Sequence, residues 1–237
     1  MAETVEFRSN GHQASGYLVR PPSGVGPGVL VIQEWWGLDS GIKEMGDRLG
    51  AAGFTALVPD LYHGELAAHD EMDKAGELMR KMPPDRAARD MSGAVDFLAN
   101  HPSVTSDGIG VVGFCMGGML SFLIAAQRAD KVKALVPFYG FPRGPMEPDW
   151  SKLTAPVRGH MAEHDTFFPP DAARALEAKL QGMGKDVTLT VHPGTGHAFM
   201  APHNALGTLN AKLAAEIWPG VVSFLKTTLR GETGSGH

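Results

Sequence analysis

Short apolar runs without polar alternation recur along the chain, and stretches with helical spacing separate them. The clearest runs are GVLVIQ at 28–33, FTALVPD at 54–60 and GIGVVGF at 108–114. A strand that is apolar at every position is buried on both faces, as in a parallel sheet. Strands that alternate with helices predict one doubly wound, mostly parallel α/β sheet with helices on both faces.

Turn residues and prolines mark the ends of the expected elements. The runs 4–9 and 14–20 predict two short antiparallel strands at one edge of the sheet. The apolar spacing in the stretch 68–100 predicts a helix, and Pro83-Pro84 is expected to break this helix in two. No linker or change of composition divides the chain, so residues 1–230 are predicted to form one domain, and the small polar residues 231–237 a flexible tail.

Charge and composition limit the classes of partner. A net charge of −5 provides no basic surface for nucleic acid. No apolar stretch is long enough to span a membrane, and the first ten residues lack the pattern of a secretory signal. A single cysteine cannot form an internal disulfide. These features predict a cytoplasmic protein with a small-molecule substrate, as a monomer or a small homo-oligomer.

The sequence GFCMGG at 113–118 places the only cysteine, Cys115, between an apolar strand and an apolar helix. An unpaired cysteine is commonly a small buried hydrophobe, which needs no special neighbours. Here Gly113 and Gly117 flank it, as a nucleophile on a tight strand-to-helix turn requires. The following helix also favours a thiolate at its N-terminus. We therefore predict that Cys115 is a nucleophile.

A thiol nucleophile needs a base, and the base needs an orienting acid. In hydrolases of this kind of sheet, the chain order is nucleophile, acid, histidine. Asp165 in AEHDTFFPP and His197 in HPGTGHAFM follow two later strands in that order. Each residue taken separately is explained equally well as a turn or loop residue. The order and the three strand-end positions together favour catalysis.

An oxyanion hole needs two backbone N–H groups, one of them from the residue after the nucleophile. That residue is Met116, and the loop after the first buried strand offers Trp35 as the second donor. Glu34 in the same loop is a carboxylate directly after a buried strand. It is either a partly solvated loop acid or a group that manages the proton of the thiol.

Together, the segments IQEWWGL, LVPDLY, GFCMGG, PFYG, EHDTFFP and GTGHAF resemble the dienelactone hydrolases, or carboxymethylenebutenolidases, of the α/β-hydrolase superfamily. The resemblance covers essentially the whole chain. It implies that Cys115, Asp165 and His197 are nucleophile, acid and base. It also implies that Glu34 lies beside the resting thiol and takes its proton when substrate binds. The reaction of this family is the hydrolysis of an unsaturated lactone without a cofactor.

Aromatic residues in the loops after the strands suit a pocket for small planar acyl groups. Trp36, Tyr139 and Phe199 are the candidates for substrate contact, although such residues also cap cores.

The chain departs from the family where the substrate carboxylate is held. The family has an arginine four residues after the catalytic histidine, and this chain has Ala201 there. The counterpart of a second family arginine falls near Lys74, with Arg80 as the nearest arginine. His203 offers at most a weak contact. The sequence thus predicts a lower preference for carboxylated lactones.

Three alternatives remain open from sequence alone. The same fold and triad also suit a broad-specificity carboxylesterase of small esters. The pattern HMAEH, with His160, Glu163 and His164, matches a zinc-peptidase motif, but that motif works only on a helix and this segment has a strand-like context. A non-catalytic binding domain on this fold would not need all three triad residues.

Overall fold

The computed structural model describes residues 1–9 and 11–230, in which eight strands form one sheet. In chain order, the strands are β1 Ala2–Ser9, β2 His12–Val19, β3 Gly26–Ile32, β4 Thr55–Pro59, β5 Val104–Phe114, β6 Val132–Phe138, β7 Val157–His164 and β8 Val187–Gly196. The spatial order is β1-β2-β4-β3-β5-β6-β7-β8. The strands β3 to β8 are mutually parallel, and β1 and β2 pair antiparallel at one edge. This confirms the predicted α/β architecture, while the predicted tail at 231–237 lies outside the described residues.

In the described part of the chain, six α-helices connect or flank the strands: α1 Ser40–Ala51, α2 Met72–Lys81, α3 Pro84–Ala99, α4 Met116–Gln127, α5 Pro170–Gly182 and α6 Ala211–Leu229. The start of α1 is fixed by Asp39, whose carboxylate accepts a hydrogen bond from the Ile42 N–H at 2.8 Å. Pro83-Pro84 separates α2 from α3, because proline lacks an N–H and keeps the preceding residue out of helical conformation. No helix within residues 1–9 and 11–230 is both long and apolar enough to cross a membrane.

The apolar runs of the central strands are explained by helices on both faces of the sheet. In β3, Leu30 and Ile32 pack into the core under α2 to α5, whereas Val29 and Val31 pack into the core under α1 and α6. All four side chains are fully buried. Burial of each such side chain stabilises the fold by about 1.5–3 kcal/mol. A polar residue anywhere in this strand would therefore be unfavourable.

The parallel strands all end at the same edge of the sheet. The loops after β3, β5, β6, β7 and β8 therefore meet there, and they carry the predicted residues Glu34, Trp35, Cys115, Asp165 and His197.

Candidate active site

Cys115 occupies a strained turn between β5 and α4. Its φ is +54° and its ψ is −117°, in the region that favours glycine. A Cβ on Gly117 would overlap the Ile32 carbonyl oxygen, and a Cβ on Gly113 would overlap the Gly117 carbonyl oxygen. Only glycine fits at both positions. The turn thus projects the thiol from the end of the sheet at the N-terminus of α4.

A continuous chain of hydrogen bonds links Cys115, His197 and Asp165. The Nε2 of His197 lies 3.0 Å from the Cys115 Sγ, and its Nδ1 lies 2.7 Å from Oδ2 of Asp165. The other carboxylate oxygen of Asp165 accepts hydrogen bonds from the backbone N–H groups of Phe167 and Phe168, each at 2.9 Å. Asp165 is buried, so these bonds fix its orientation. The arrangement can pass a proton between sulfur and imidazole.

The electrostatics of His197 favour its charged form. Burial by itself lowers the pKa of the imidazole, but the hydrogen bonds to Asp165 and Cys115 outweigh it and raise the pKa to about 10. An imidazolium between a carboxylate and the sulfur can stabilise a thiolate, which is the nucleophilic form of cysteine.

Two residues that line the cavity of Cys115 have backbone N–H groups without an acceptor among the described residues. Among residues 1–9 and 11–230, no backbone or side-chain oxygen accepts from the N–H of Met116, the first residue of α4, or from the N–H of Trp35. Trp35 and Met116 both line the cavity that contains Cys115. These donors are therefore free to bind a negatively charged oxygen.

Glu34 lies at the cavity that contains Cys115, and a histidine holds its carboxylate there. Its Oε2 pairs with Nε2 of His203 at 2.8 Å. The thiol is hydrogen-bonded to His197. Burial lowers the pKa of His203, and the Glu34 carboxylate outweighs this and raises it. The ring of His203 also stacks on His69 at 4.2 Å between ring centroids. Glu34 is thus held by a histidine that is distant in sequence.

The thiol opens into an apolar cavity of about 670 Å³. Its aromatic wall is formed by Trp35, Trp36, Phe141, Phe167 and Phe168. Methionines from several elements complete the wall: Met79, Met116, Met119 and Met146. Flexible thioether side chains adapt to differently shaped ligands. Such a cavity suits a small apolar or aromatic molecule.

Of the aromatic residues predicted to contact substrate, only Trp36 lines the cavity. Tyr139 and Phe199 are fully buried behind the site, where the Tyr139 ring packs edge-on against His197 at 5.2 Å and against Phe199 at 5.4 Å. Tyr139 has a φ of +36°, a turn that the strand-end position did not reveal. Burial, then the charge of Glu34, raises the pKa of Tyr139 well above its usual range. Tyr139 thus packs against His197 from behind, and Phe199 packs against Tyr139.

The predicted cations also lie elsewhere. Neither Lys74 nor Arg80 lines the cavity; both are exposed, and Lys74 pairs with Glu71 at 3.5 Å. Met79 of helix α2 faces the cavity. Successive residues of an α-helix are rotated by about 100° around its axis, so Lys74 and Arg80 face other directions. Ala201 is buried and contributes no charge. The cavity does contain Arg143, which the sequence analysis missed although it follows β6 at the active edge of the sheet.

The H-x-x-E-H pattern lies on β7 and is a strand, not a helix. Four residues of strand separate His160 from His164 by about 13 Å, so the two rings cannot share a metal ion. His160 instead pairs with His192, Nδ1 to Nε2 at 3.0 Å, and stacks on Phe138. No group of three His, Cys, Asp or Glu side chains in the described part of the chain is arranged to hold a metal. The segment thus does not form the helical zinc-peptidase motif.

The mostly parallel eight-stranded sheet and the strained turn that carries Cys115 at its active edge define an α/β-hydrolase. The sequence profile of the dienelactone hydrolase family matches residues 14–229. The chain belongs to the dienelactone hydrolase family, and it is a hydrolase of the ester and lactone class.

Similar proteins cover the whole length of the chain. "Protein usf" of Aquifex pyrophilus is 37% identical over 235 residues, which are 97% of this chain and 100% of that protein. A "Putative carboxymethylenebutenolidase" of Aquifex aeolicus is 35% identical, over 97% of this chain and 100% of that protein. Among solved structures, the dienelactone hydrolase-like promiscuous phosphotriesterase P91 from metagenomic libraries superposes with a TM-score of 0.81 at 21% identity, over 96% and 98% of the two chains. That likeness supports the fold.

Proposed function

We propose that the protein hydrolyses small esters or lactones through a thioester on Cys115, with His197 as base and Asp165 as the acid that orients it. The observation that carries this proposal is the hydrogen-bonded chain from Sγ of Cys115 through both nitrogens of His197 to a buried carboxylate, at 3.0 and 2.7 Å. A cysteine that only fills the core does not need this geometry.

The reaction then has two halves. The thiolate of Cys115 attacks the ester carbonyl, and the N–H groups of Trp35 and Met116 bind the resulting oxyanion. When the tetrahedral intermediate collapses, the C–O bond breaks and the proton on His197 passes to the leaving oxygen, which leaves a thioester. In a lactone, that oxygen stays attached to the acyl group. His197 next takes a proton from water, which attacks the thioester and releases the acid and the thiol.

The cavity lacks the arginine that the family places four residues after the catalytic histidine, so we expect a weaker preference for a carboxylated dienelactone than in the family. Its wall consists mainly of aromatic and methionine side chains, and Ala201 has no guanidinium. The carboxylesterase alternative is thus a question of substrate range, with the fold and mechanism unchanged.

The test uses the fact that Cys115 is the only cysteine. With p-nitrophenyl butyrate, we expect Cys115→Ala to lower kcat by at least about three orders of magnitude. Iodoacetamide should label the parent once, abolish hydrolysis in proportion, and be slowed by substrate. The thermal unfolding midpoint of each protein checks that the fold is intact. Hydrolysis by Cys115→Ala within about tenfold of the parent rate would disprove the mechanism.

A further inference from the structure

Large apolar side chains lie partly in water at the mouth of the cavity. Met79, Met146 and Phe167, called the rim here, line the cavity and are 40%, 42% and 48% exposed. They come from helix α2, from the short 3₁₀ helix Gly144–Met146 after β6, and from the loop after β7. Single apolar residues on a surface need no explanation, but apolar residues that converge from separate elements on one opening indicate an apolar ligand.

Helix α2 contributes an apolar face to this opening. Met72, Gly76 and Met79 lie on one side of the helix, because residues three and four positions apart share a helical face. A Cβ on Gly76 would lie 3.9 Å from the indole ring of Trp35, so this face packs beside the aromatic wall of the cavity. Met72 is exposed as well, and it extends the apolar face beyond the cavity.

The apolar lining is continuous from the thiol to the rim. Met116, the residue after Cys115, is only 2% exposed, and Met119, about one turn further along α4, is half-buried. Both line the same cavity as the rim. The exposure of the methionines therefore increases from the thiol toward solvent, and together they form an apolar path between the two.

One side of the rim is fixed and the other side is adaptable. The Phe167 carbonyl oxygen accepts a hydrogen bond from Nη2 of Arg143 at 2.9 Å, and the Phe167 N–H donates to Asp165 at 2.9 Å. Both peptide groups of Phe167 are thus held. Met79 and Met146 have unbranched thioether side chains, which adjust to ligands of different shape. A fixed ring and two adaptable side chains can close over chains of different length.

We propose that this path binds an unbranched apolar chain longer than that of butyrate, so that the preferred substrates are neutral esters with a medium-length hydrocarbon chain. The ester carbonyl lies at Cys115, and the chain runs along Met116 and Met119 and covers the rim. Binding then removes apolar surface from water on both partners. The inference deepens the proposed function and rests on it for turnover, but not for binding.

Turnover is measured with p-nitrophenyl acetate, butyrate, hexanoate, octanoate and decanoate, each below the concentration at which it forms micelles. Complete burial of a methylene corresponds to a gain of about fourfold. Because the rim is partly open, we expect kcat/KM to rise about twofold per methylene, and therefore about tenfold from butyrate to octanoate. A parallel series of butyl, hexyl and octyl acetate shows whether the path takes the acyl chain or the alcohol chain, and a rise in either series supports the inference.

Met79→Gln and Met146→Gln keep the length of each side chain but make it polar. In the double variant, the kcat/KM ratio of the longer to the shorter ester, octanoate to butyrate or octyl to butyl acetate, should fall about fivefold in the series that shows the rise. Met183→Gln is the matched control, because Met183 is comparably exposed at the end of α5 and does not line the cavity. It should leave the ratio as in the parent.

Binding is measured without catalysis through the alkylation of Cys115 by iodoacetamide. 1-Butanol, 1-hexanol and 1-octanol should slow the alkylation, with a dissociation constant that falls about twofold per methylene in the parent and in Met183→Gln. In the double variant Met79→Gln/Met146→Gln, the dependence on chain length should be weaker.

The inference is overturned if kcat/KM does not rise with chain length in either ester series, or if the double variant leaves the ratio of longer to shorter ester unchanged, even where Cys115 proves to be the nucleophile. Protection of Cys115 that does not depend on chain length would overturn it as well. If the parent hydrolyses none of the esters, but longer alcohols protect Cys115 better and the double variant weakens this, the proposed function fails and the apolar path stands.

Discussion

Replacement of Asp165 by asparagine tests the most specific feature of the site with almost no change of shape. Oδ1 of Asp165 accepts two backbone N–H groups, which only an oxygen can do. In Asp165→Asn the amide oxygen keeps those bonds, so the NH₂ group faces Nδ1 of His197. Nδ1 must then accept a hydrogen bond, and the proton of the neutral ring moves to Nε2. This tautomer cannot accept a proton from the thiol.

The magnitude follows from the environment of His197. The rise of its pKa to about 10 from its ordinary value corresponds to about 5 kcal/mol of preference for the imidazolium. That figure is a net value, because burial opposes the imidazolium and the hydrogen bonds to Asp165 and Cys115 together outweigh it. Without the carboxylate, burial lowers the pKa. We expect kcat to fall by about three to four orders of magnitude, as for the loss of the acid in comparable triads.

Two assays at neutral pH check this expectation: the hydrolysis of p-nitrophenyl butyrate and the rate of alkylation of Cys115 by iodoacetamide. Both should decrease in Asp165→Asn, because the altered tautomer of His197 no longer accepts the proton of the thiol. Asp171→Asn, the same substitution at an exposed residue of α5, is the control and should behave like the parent. If Asp165→Asn kept hydrolysis within about tenfold of the parent, the orienting role of the carboxylate would be refuted.

Two further predictions concern stability. Gly117→Ala forces a Cβ onto the Ile32 carbonyl oxygen and should lower the free energy of unfolding by about 2–4 kcal/mol. Gly182→Ala is the control and should be near neutral, because the space around Gly182 is open. Urea titration measures both variants, and equal unfolding midpoints would contradict the close packing around Gly117. Burial, and then the charge of His192, lower the pKa of His160 to about 3 in the folded protein. The neutral ring of His160 therefore contributes its full stabilisation above pH 6.5, and this contribution is lost as the pH falls from 6.5 toward 3. In His160→Gln, the loss of stability between about pH 7.5 and about pH 4.5 should therefore be smaller than in the parent, and an unchanged pH dependence of the urea midpoint would count against this.

Local features of the sequence were sufficient for the fold and for the elements that carry the site. Apolar runs without alternation predicted buried parallel strands, and β3 shows why, since its side chains enter two cores on opposite faces. The glycines around Cys115 predicted the strained turn, because the contacts that exclude a Cβ arise within the turn and from the adjacent strand. Chain order placed Asp165 and His197 after β7 and β8, and parallel strands end at one edge.

Side-chain direction at that edge was decided only by tertiary packing. Tyr139 and Trp36 both follow strands, yet a φ of +36° turns Tyr139 behind His197, while Trp36 borders the cavity. Glu34 shares the cavity with the thiol, and its hydrogen-bond partner there, His203, lies 169 residues away in sequence. No periodicity encodes such a pair, because its energy depends on how two loops pack in three dimensions. The sequence by itself determined which loops meet and that Cys115 lies on the strained turn among them, and the packing of those loops decided which side chains reach the cavity.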